Sequence, residues 1–452
     1  RQMCIRDRYT YDAYMRLVTQ ISGAATTTLT YDNRDRVTSK VINGGGNKLA
    51  QENYTYTSDG VSSTVVTNVA GDANTSGYST SVKTDMLGRT SEEINRQGGV
   101  TTYTLDMAGN ITKVVPPRVY GDYSISYTYD HAGNILTETE TGVRVDTATK
   151  SYEYDMLGRV TGVVDGMGKK TTYSYCSTNW VKEIKTPFNG SSYGLMSYQY
   201  DKAGNVIQES VKVSSAASRI TDYKYDPLNR VTESKINGVT TTYQYDKAGN
   251  MINQSMANGT QTVSYAYDQL NRPTRYTDGL GMTESYVYNN YGDMTSKKDR
   301  NGITTNYTYD ALHRKTKESV TKDGKTSTNS FVYGLTGQLV SETNGKFARS
   351  YNYYKDNSGL YSDEFFTLDG AEYRIRRLYN DADQLQYVQC FKSGMKNSIY
   401  TKNYNFDSKG RIYMFGSQSA SEYGDSTNYN YNAYYTYDKN DNITSVKAVS
   451  YT

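Results

Sequence analysis

The chain has 452 residues, with 50 Lys and Arg against 47 Asp and Glu for a net charge of +3, a balance that excludes the cationic field of a nucleic-acid binder or of a protein held on an anionic membrane surface. Leu, Ile, Val and Phe make up about one residue in six, below the ~20% of ordinary apolar cores, while 49 tyrosines stand against 8 phenylalanines and one tryptophan. Burial therefore has to come from rings with a polar tip, which suit half-wet surfaces.

Residues 1–8, RQMCIRDR, match nothing that follows and read as a leader foreign to the fold. They lack the basic-then-apolar pattern of a secretory signal, and no run of ~18 apolar residues suggests a membrane span. From Tyr9 onward a single phrase recurs. Aligned on its second tyrosine it falls at Tyr11, Tyr31, Tyr56, Tyr129, Tyr154, Tyr175, Tyr200, Tyr225, Tyr245, Tyr267, Tyr288, Tyr309, Tyr333, Tyr379 and Tyr437, with looser copies at Lys83, Leu105, Tyr353 and Phe406. Spacings of roughly 20 to 31 residues, giving about 19 units, mark residues 9–452 as one repeat array.

The clearest copies combine Tyr129, Asp130 and Gly133; Tyr154, Asp155 and Gly158; Tyr200, Asp201 and Gly204; Tyr225, Asp226 and Asn229; Tyr245, Asp246 and Gly249; and Tyr267, Asp268 and Asn271. Tyr309 with Asp310, and Tyr437 with Asp438, open two later ones. Tyrosines two apart lie on one face of a strand. The residue three beyond the aspartate is Gly in some copies and Asp, Asn or His in others, the types that tolerate positive φ, which predicts a type I turn closed by a left-handed residue, with the aspartate accepting from the turn's amides. The chain then resumes with β-branched runs such as NILTE from Asn134, RVTGVV from Arg159 and RVTES from Arg230. A second, glycine-rich turn follows, as in DGMG from Asp165, NG at Asn237 and DGLG from Asp278.

Each unit is thus two strands and two turns, and the expected fold is all-β: tandem hairpins in one antiparallel sheet of about 38 strands, ~180 Å long if flat. Sheets twist, so the ribbon should coil into a spiral around a lumen of ~30 Å radius, too wide to fill, as part of a hollow shell. Between Tyr354 and Arg377 the phrase breaks down, and a longer, irregular hairpin is expected there.

The inventory of chemistry is thin. Cys4, Cys176 and Cys390 are too scattered for a disulfide framework or a CxxC pair. His131 and His313 both occupy turns, and no HExxH, GxSxG or P-loop pattern occurs. The turn aspartates lack the nonapeptide spacing of calcium β-rolls. No catalytic residue, metal or cofactor is expected, and Asp363, Glu364 and Asp369 in the irregular stretch are the only candidates for a hidden enzyme. Tyrosine ladders should stack between hairpins at ~0.2 to 1 kcal/mol per pair, with weak glycan contact open to any exposed rings.

The phrases YTYDHAGNI, YEYDMLGRV, YQYDKAGNV, YKYDPLNRV, YQYDKAGNM and YTYDKNDNI resemble the YD repeats of Rhs and wall-associated proteins, of the cocoon subunits of insecticidal toxin complexes, and of teneurins. The alternation of asparagine-type tips (Asn205, Asn250) with arginine-type tips (Arg159, Arg230, Arg272, Arg314) is similar too. The resemblance covers nearly the whole chain and implies a hairpin spiral forming a hollow shell, which in bacterial members encloses a carboxy-terminal toxin. A closing DPxGL-type segment and a toxin are absent from the sequence, which reads as the middle of a longer polypeptide. The expectation is a structural, non-enzymatic shell segment, secreted or on a bacterial cell surface. Its partners would be the rest of its own polypeptide and a passenger toxin, with no nucleic acid. The alternative is a surface adhesion or carbohydrate-binding array.

Overall fold

The computed structural model describes residues 7–59, 62–117, 121–188, 193–213, 218–256, 259, 261–345, 347–356, 359–395, 397–419 and 429–451; Cys4 and most of the leader lie outside them. The described chain is a 38-stranded sheet without an α-helix, so no helix is long and apolar enough to cross a membrane. Pairing is antiparallel and between sequence neighbours, as in Tyr193–Tyr200 with Val206–Val213 and Arg219–Tyr225 with Val231–Ile236. The tandem hairpin array expected from the sequence is the fold that forms.

Two compact units can be distinguished. One comprises Arg1–Thr128, Glu138–Ala148 and Tyr307–Thr452, the other Tyr129–Thr137 and Thr149–Asn306. Neither rests on a central core. Among the described residues the buried apolar side chains are only Tyr123, Ala148, Val340, Leu360 and Ala433. Cohesion must therefore come from ladder hydrogen bonds and from side chains fastening one hairpin to the next, each contributing about 1 kcal/mol.

Within the first unit, residues far apart in sequence meet. Asp72 accepts from the Leu335 amide at 2.6 Å across 263 positions, Arg96 and Gln97 hold Asp383 across 287 and 286, and Ser408 donates to the Val143 carbonyl across 265. Lys409 pairs with Glu140, and Thr75 forms a parallel bridge to Tyr353. In all but the last of these, a hairpin tip of the later strands meets a return turn of the earlier ones.

The described residues of the stretch 354–377 lie in the strands Ala348–Asp356, Gly359–Leu368 and Ala371–Tyr379 and in the turn at 369–370, and the register from Leu360↔Tyr379 to Leu368↔Ala371 is continuous. Asp363 receives both Arg376 nitrogens at 2.9 Å and the Tyr354 hydroxyl at 3.1 Å, and Glu364 receives Arg377 at 2.9 Å. Both carboxylates are buried, and as neighbours on a strand they face opposite sides. Asp369 sits in the following turn at φ 48°.

Candidate functional site: the hairpin tips

The tip opened by Asp226 shows the design. Its backbone amide donates to the Arg230 carbonyl at 2.9 Å, the Asn229 amide donates to the Asp226 carbonyl at 2.9 Å, and Asn229 takes φ 60°. Asp226 Oδ1 accepts from the amides of Leu228 and Arg230 at 2.9 and 3.0 Å, while Oδ2 accepts from Arg230 Nε at 2.7 Å. One short carboxylate thereby occupies donors that a tight turn leaves over, and binds the side chain four positions on. The arrangement recurs at Asp12, Asp32, Asp85, Asp155, Asp268, Asp310 and Asp407 with arginine. It recurs at Asp106, Asp130, Asp201, Asp246 and Asp438 with asparagine.

The left-handed position is Gly133 (φ 85°), Gly158 (75°), Gly204 (92°), Gly249 (95°) or Asn271 (61°), and in the copies at Asp310 and Asp438 His313 (61°) and Asp441 (65°). These hydrogen bonds hold Asp32, Asp130 and Asp226 below the usual carboxylate range. Arg36 draws Asp32 down to about 2, and the Asn134 and Arg230 side chains lower Asp130 and Asp226 in the same direction.

Beyond most tips the register slips by one residue, though not between Asn47–Ser58 and Ser62–Val69 or between Ala348–Asp356 and Gly359–Leu368. Tyr225 faces Val231 but Lys224 faces Glu233, so Thr232 is an extra residue in the return strand. The same bulge follows Tyr154, Tyr200, Tyr245, Tyr267 and Tyr437. The inserted residue is commonly threonine, and the Thr232 and Thr274 hydroxyls donate to the Lys224 and Ala266 carbonyls at 3.3 and 3.2 Å. A sequence signal for it existed: threonine recurs two places after the tip Arg or Asn, in RVT, RPT and NIT.

The second tyrosine then fastens hairpin to hairpin. Tyr225 donates to the Val206 carbonyl at 2.8 Å, and Val206 is the residue facing Tyr200 at the preceding bulge. Tyr154 reaches Ile135, Tyr175 Val160, Tyr200 Val181, Tyr245 Val231, Tyr267 Met251 and Tyr437 Ile412, all between 2.7 and 2.9 Å. The tip arginine reaches forward: Arg230 lies 4.6 Å from the Tyr245 ring centre and donates to the Asp246 carbonyl at 3.3 Å. Arg159, Arg272 and Arg411 stack likewise on Tyr175, Tyr288 and Tyr437. Trp180 takes the arginine's place beside Tyr200, at 5.1 Å.

Asparagine tips use the next left-handed residue instead, Asn205 donating to Asn229 Oδ1 and Asn250 to Asn271 Oδ1, each at 2.9 Å. The repeat residues therefore do not converge on one pocket. They form a row of fastenings between successive hairpins. Among the described residues no group of His, Cys, Asp or Glu is placed to hold a metal ion.

This geometry defines a repeat protein made of one self-fastening hairpin. Comparison with known proteins agrees. The family model described as the teneurin YD-shell matches residues 175–338. A protein of Dickeya dadantii (strain 3937) named "Probable deoxyribonuclease RhsA" is 26% identical over 162 residues, 32% of this chain and 11% of that protein. A solved Tc holotoxin pore of Photorhabdus luminescens shares the fold at TM-score 0.54 and 13% identity, over 94% of this chain and 26% of its own. A TcdB2–TccC3 crystal structure covers 99% of this chain at TM-score 0.39 and 12% identity. These comparisons support an Rhs/YD-repeat family, and the chain spans only a small part of the relatives it matches.

Proposed function

We propose that the chain is a non-enzymatic length of wall in a secreted or surface-exposed bacterial shell of the Rhs type, built to enclose a passenger toxin. The observation that carries this reading is the row of hairpins, most of the described ones tied to the preceding hairpin by a tyrosine hydroxyl and many to the next by an arginine or asparagine. Such a wall needs no central core and gains its cohesion along its length. The family implies the passenger, and the array supplies a barrier with no convergent catalytic group.

The test is limited proteolysis of the full-length protein from which this segment comes. Containment requires the carboxy-terminal region to survive protease while the wall is intact and to be digested once Tyr-to-Phe changes at several fastenings loosen it. A carboxy-terminal region cleaved equally fast in both states defeats the proposal.

The adhesion reading has one observation in its favour. In the second unit an open groove of about 600 Å³ is lined by Tyr265, Tyr276, Gln254, Gln261 and Asp278, and rings beside amides and a carboxylate suit a sugar face. Glycan-array binding that is abolished by Tyr276→Ala would favour adhesion over containment.

A further inference from the structure

We infer that the irregular stretch of the array carries a trough that binds an acidic polysaccharide, a chain of hexuronate rings. Where the repeat phrase fails, between Tyr354 and Arg377, the strands Gly359–Leu368 and Ala371–Tyr379 bring in side chains that the hairpin fastenings do not use. Phe365 stands opposite Ser350 on one side and Arg374 on the other, and Arg374 stands opposite Phe391. Directly opposed residues share a face of the sheet, and Glu372, two places before Arg374, lies on that face as well.

Two hollows open there. One, of about 340 Å³, has the small residues Ser341, Thr343, Ala348 and Ser350 in its lining; the other, of about 290 Å³, is lined by Arg374, Phe391 and Ser393. Phe365 and Glu372 line both, so the hollows adjoin as one trough running across the strands.

The charged groups in the trough are uncommitted. Asp363 is already taken by Arg376, whose Nε and Nη2 donate to its two oxygens at 2.9 Å, while Arg374 Nη1 stands 4.0 Å off. Arg374 instead lies over the Phe391 ring, 4.3 Å from its centre, and its guanidinium makes no hydrogen bond among the described residues. Stacking fixes the guanidinium plane and leaves its edge donors as a fork that matches a carboxylate. The Glu372 side chain is exposed and has no hydrogen bond or ion pair among the described residues.

The occupant follows from charge and shape together. A hexuronate offers a carboxylate to Arg374, hydroxyl donors to Glu372 and a C–H face to Phe365, and a chain of such rings suits two adjoining hollows. An acidic peptide offers the carboxylate without the hydroxyls. The site adds a ligand to the wall and does not depend on a passenger.

Isothermal titration calorimetry of the purified chain tests this with trigalacturonate, its methyl ester and triglutamate. The expected result is saturable binding of trigalacturonate, weakened about tenfold or more by esterification or by Arg374→Gln, because each removes a hydrogen bond between charged groups. Phe365→Ala should weaken it too. Circular dichroism identical to the unaltered chain establishes that each variant is folded, and the ester makes the charge comparison on the unaltered chain itself. Absence of trigalacturonate binding overturns the inference, as does equal binding of the ester or undiminished binding by folded Arg374→Gln. Triglutamate bound as tightly as trigalacturonate overturns it in favour of an acidic peptide.

Discussion

Tyr200 offers the sharpest test of the fastening. Its hydroxyl donates to the Val181 carbonyl at 2.7 Å, and its ring lies 5.1 Å from the sole tryptophan, Trp180. Tyr200→Phe keeps the ring and removes the donor from a carbonyl at the bulge where Val181 faces Tyr175. A lost hydrogen bond costs about 1 kcal/mol, rising toward ~2 where the acceptor is left unsatisfied. Tyr198 is the internal control: its ring sits 6.5 Å from that of Tyr200 on the same strand face, and its hydroxyl has no hydrogen-bond partner among the described residues. Tyr198→Phe should change stability by less than about 0.5 kcal/mol. Urea unfolding followed by Trp180 fluorescence reads the hairpin in question, since stability in a repeat array is set by nearest neighbours. The Tyr200→Phe midpoint should fall by about half a molar, given m-values of ~1 to 3 kcal/mol/M. Equal midpoints for the two variants would show that the hydroxyl fastening contributes nothing.

Three further outcomes are expected. Gly204→Ala should destabilise by about 1 to 2 kcal/mol and perturb Trp180 emission, because a Cβ at φ 92° would meet the indole at 2.7 Å; Gly158→Asn, at φ 75° with open space around it, should leave the thermal midpoint nearly unchanged. Asp32, at about 2, and Asp130 and Asp226 are held low by their Arg36, Asn134 and Arg230 partners. Their stabilisation is fully present above the unfolded aspartate value of about 4 and is lost as pH falls toward about 2. Far-ultraviolet circular dichroism should therefore hold down to pH about 4 and decay below it. Finally, Asp363→Ala leaves Arg376 without its buried partner and should cost about 3 to 5 kcal/mol, read as a drop in thermal midpoint far larger than that of Asp369→Ala in the exposed turn.

The hairpin was legible because two independent local rules agree: Tyr-x-Tyr fixes a strand face, and Asp with a left-handed residue three places on fixes a reversal. The bulge was marked only by the threonine that recurs two places after the tip Arg or Asn, as in Thr232, and that threonine reads equally well as an ordinary β-branched strand residue. Tyrosine stacking was expected to join hairpins ring to ring. Ring pairs do occur at Tyr198 with Tyr200 and at Tyr265 with Tyr267. More often the partner of the second ring is the preceding guanidinium, and the hydroxyl rather than the face makes the tie. Arginine recurs at the tips in the sequence, but its reach to the next unit depends on the sheet's spacing, which no single phrase encodes. The contacts of Asp72 with Leu335 and Glu140 with Lys409 join positions 263 and 269 apart, beyond anything a period of 20 to 25 can announce.

The tyrosine fastening has a direction. Each hydroxyl grips a carbonyl 14 to 25 positions earlier in the chain, so every newly emerging hairpin finds its anchor already built. Contacts this local close quickly. A polypeptide leaving a ribosome or an export channel amino end first can thus set each tyrosine tie as it appears, like masonry laid course by course, while the forward-reaching arginines and the long-range contacts close later.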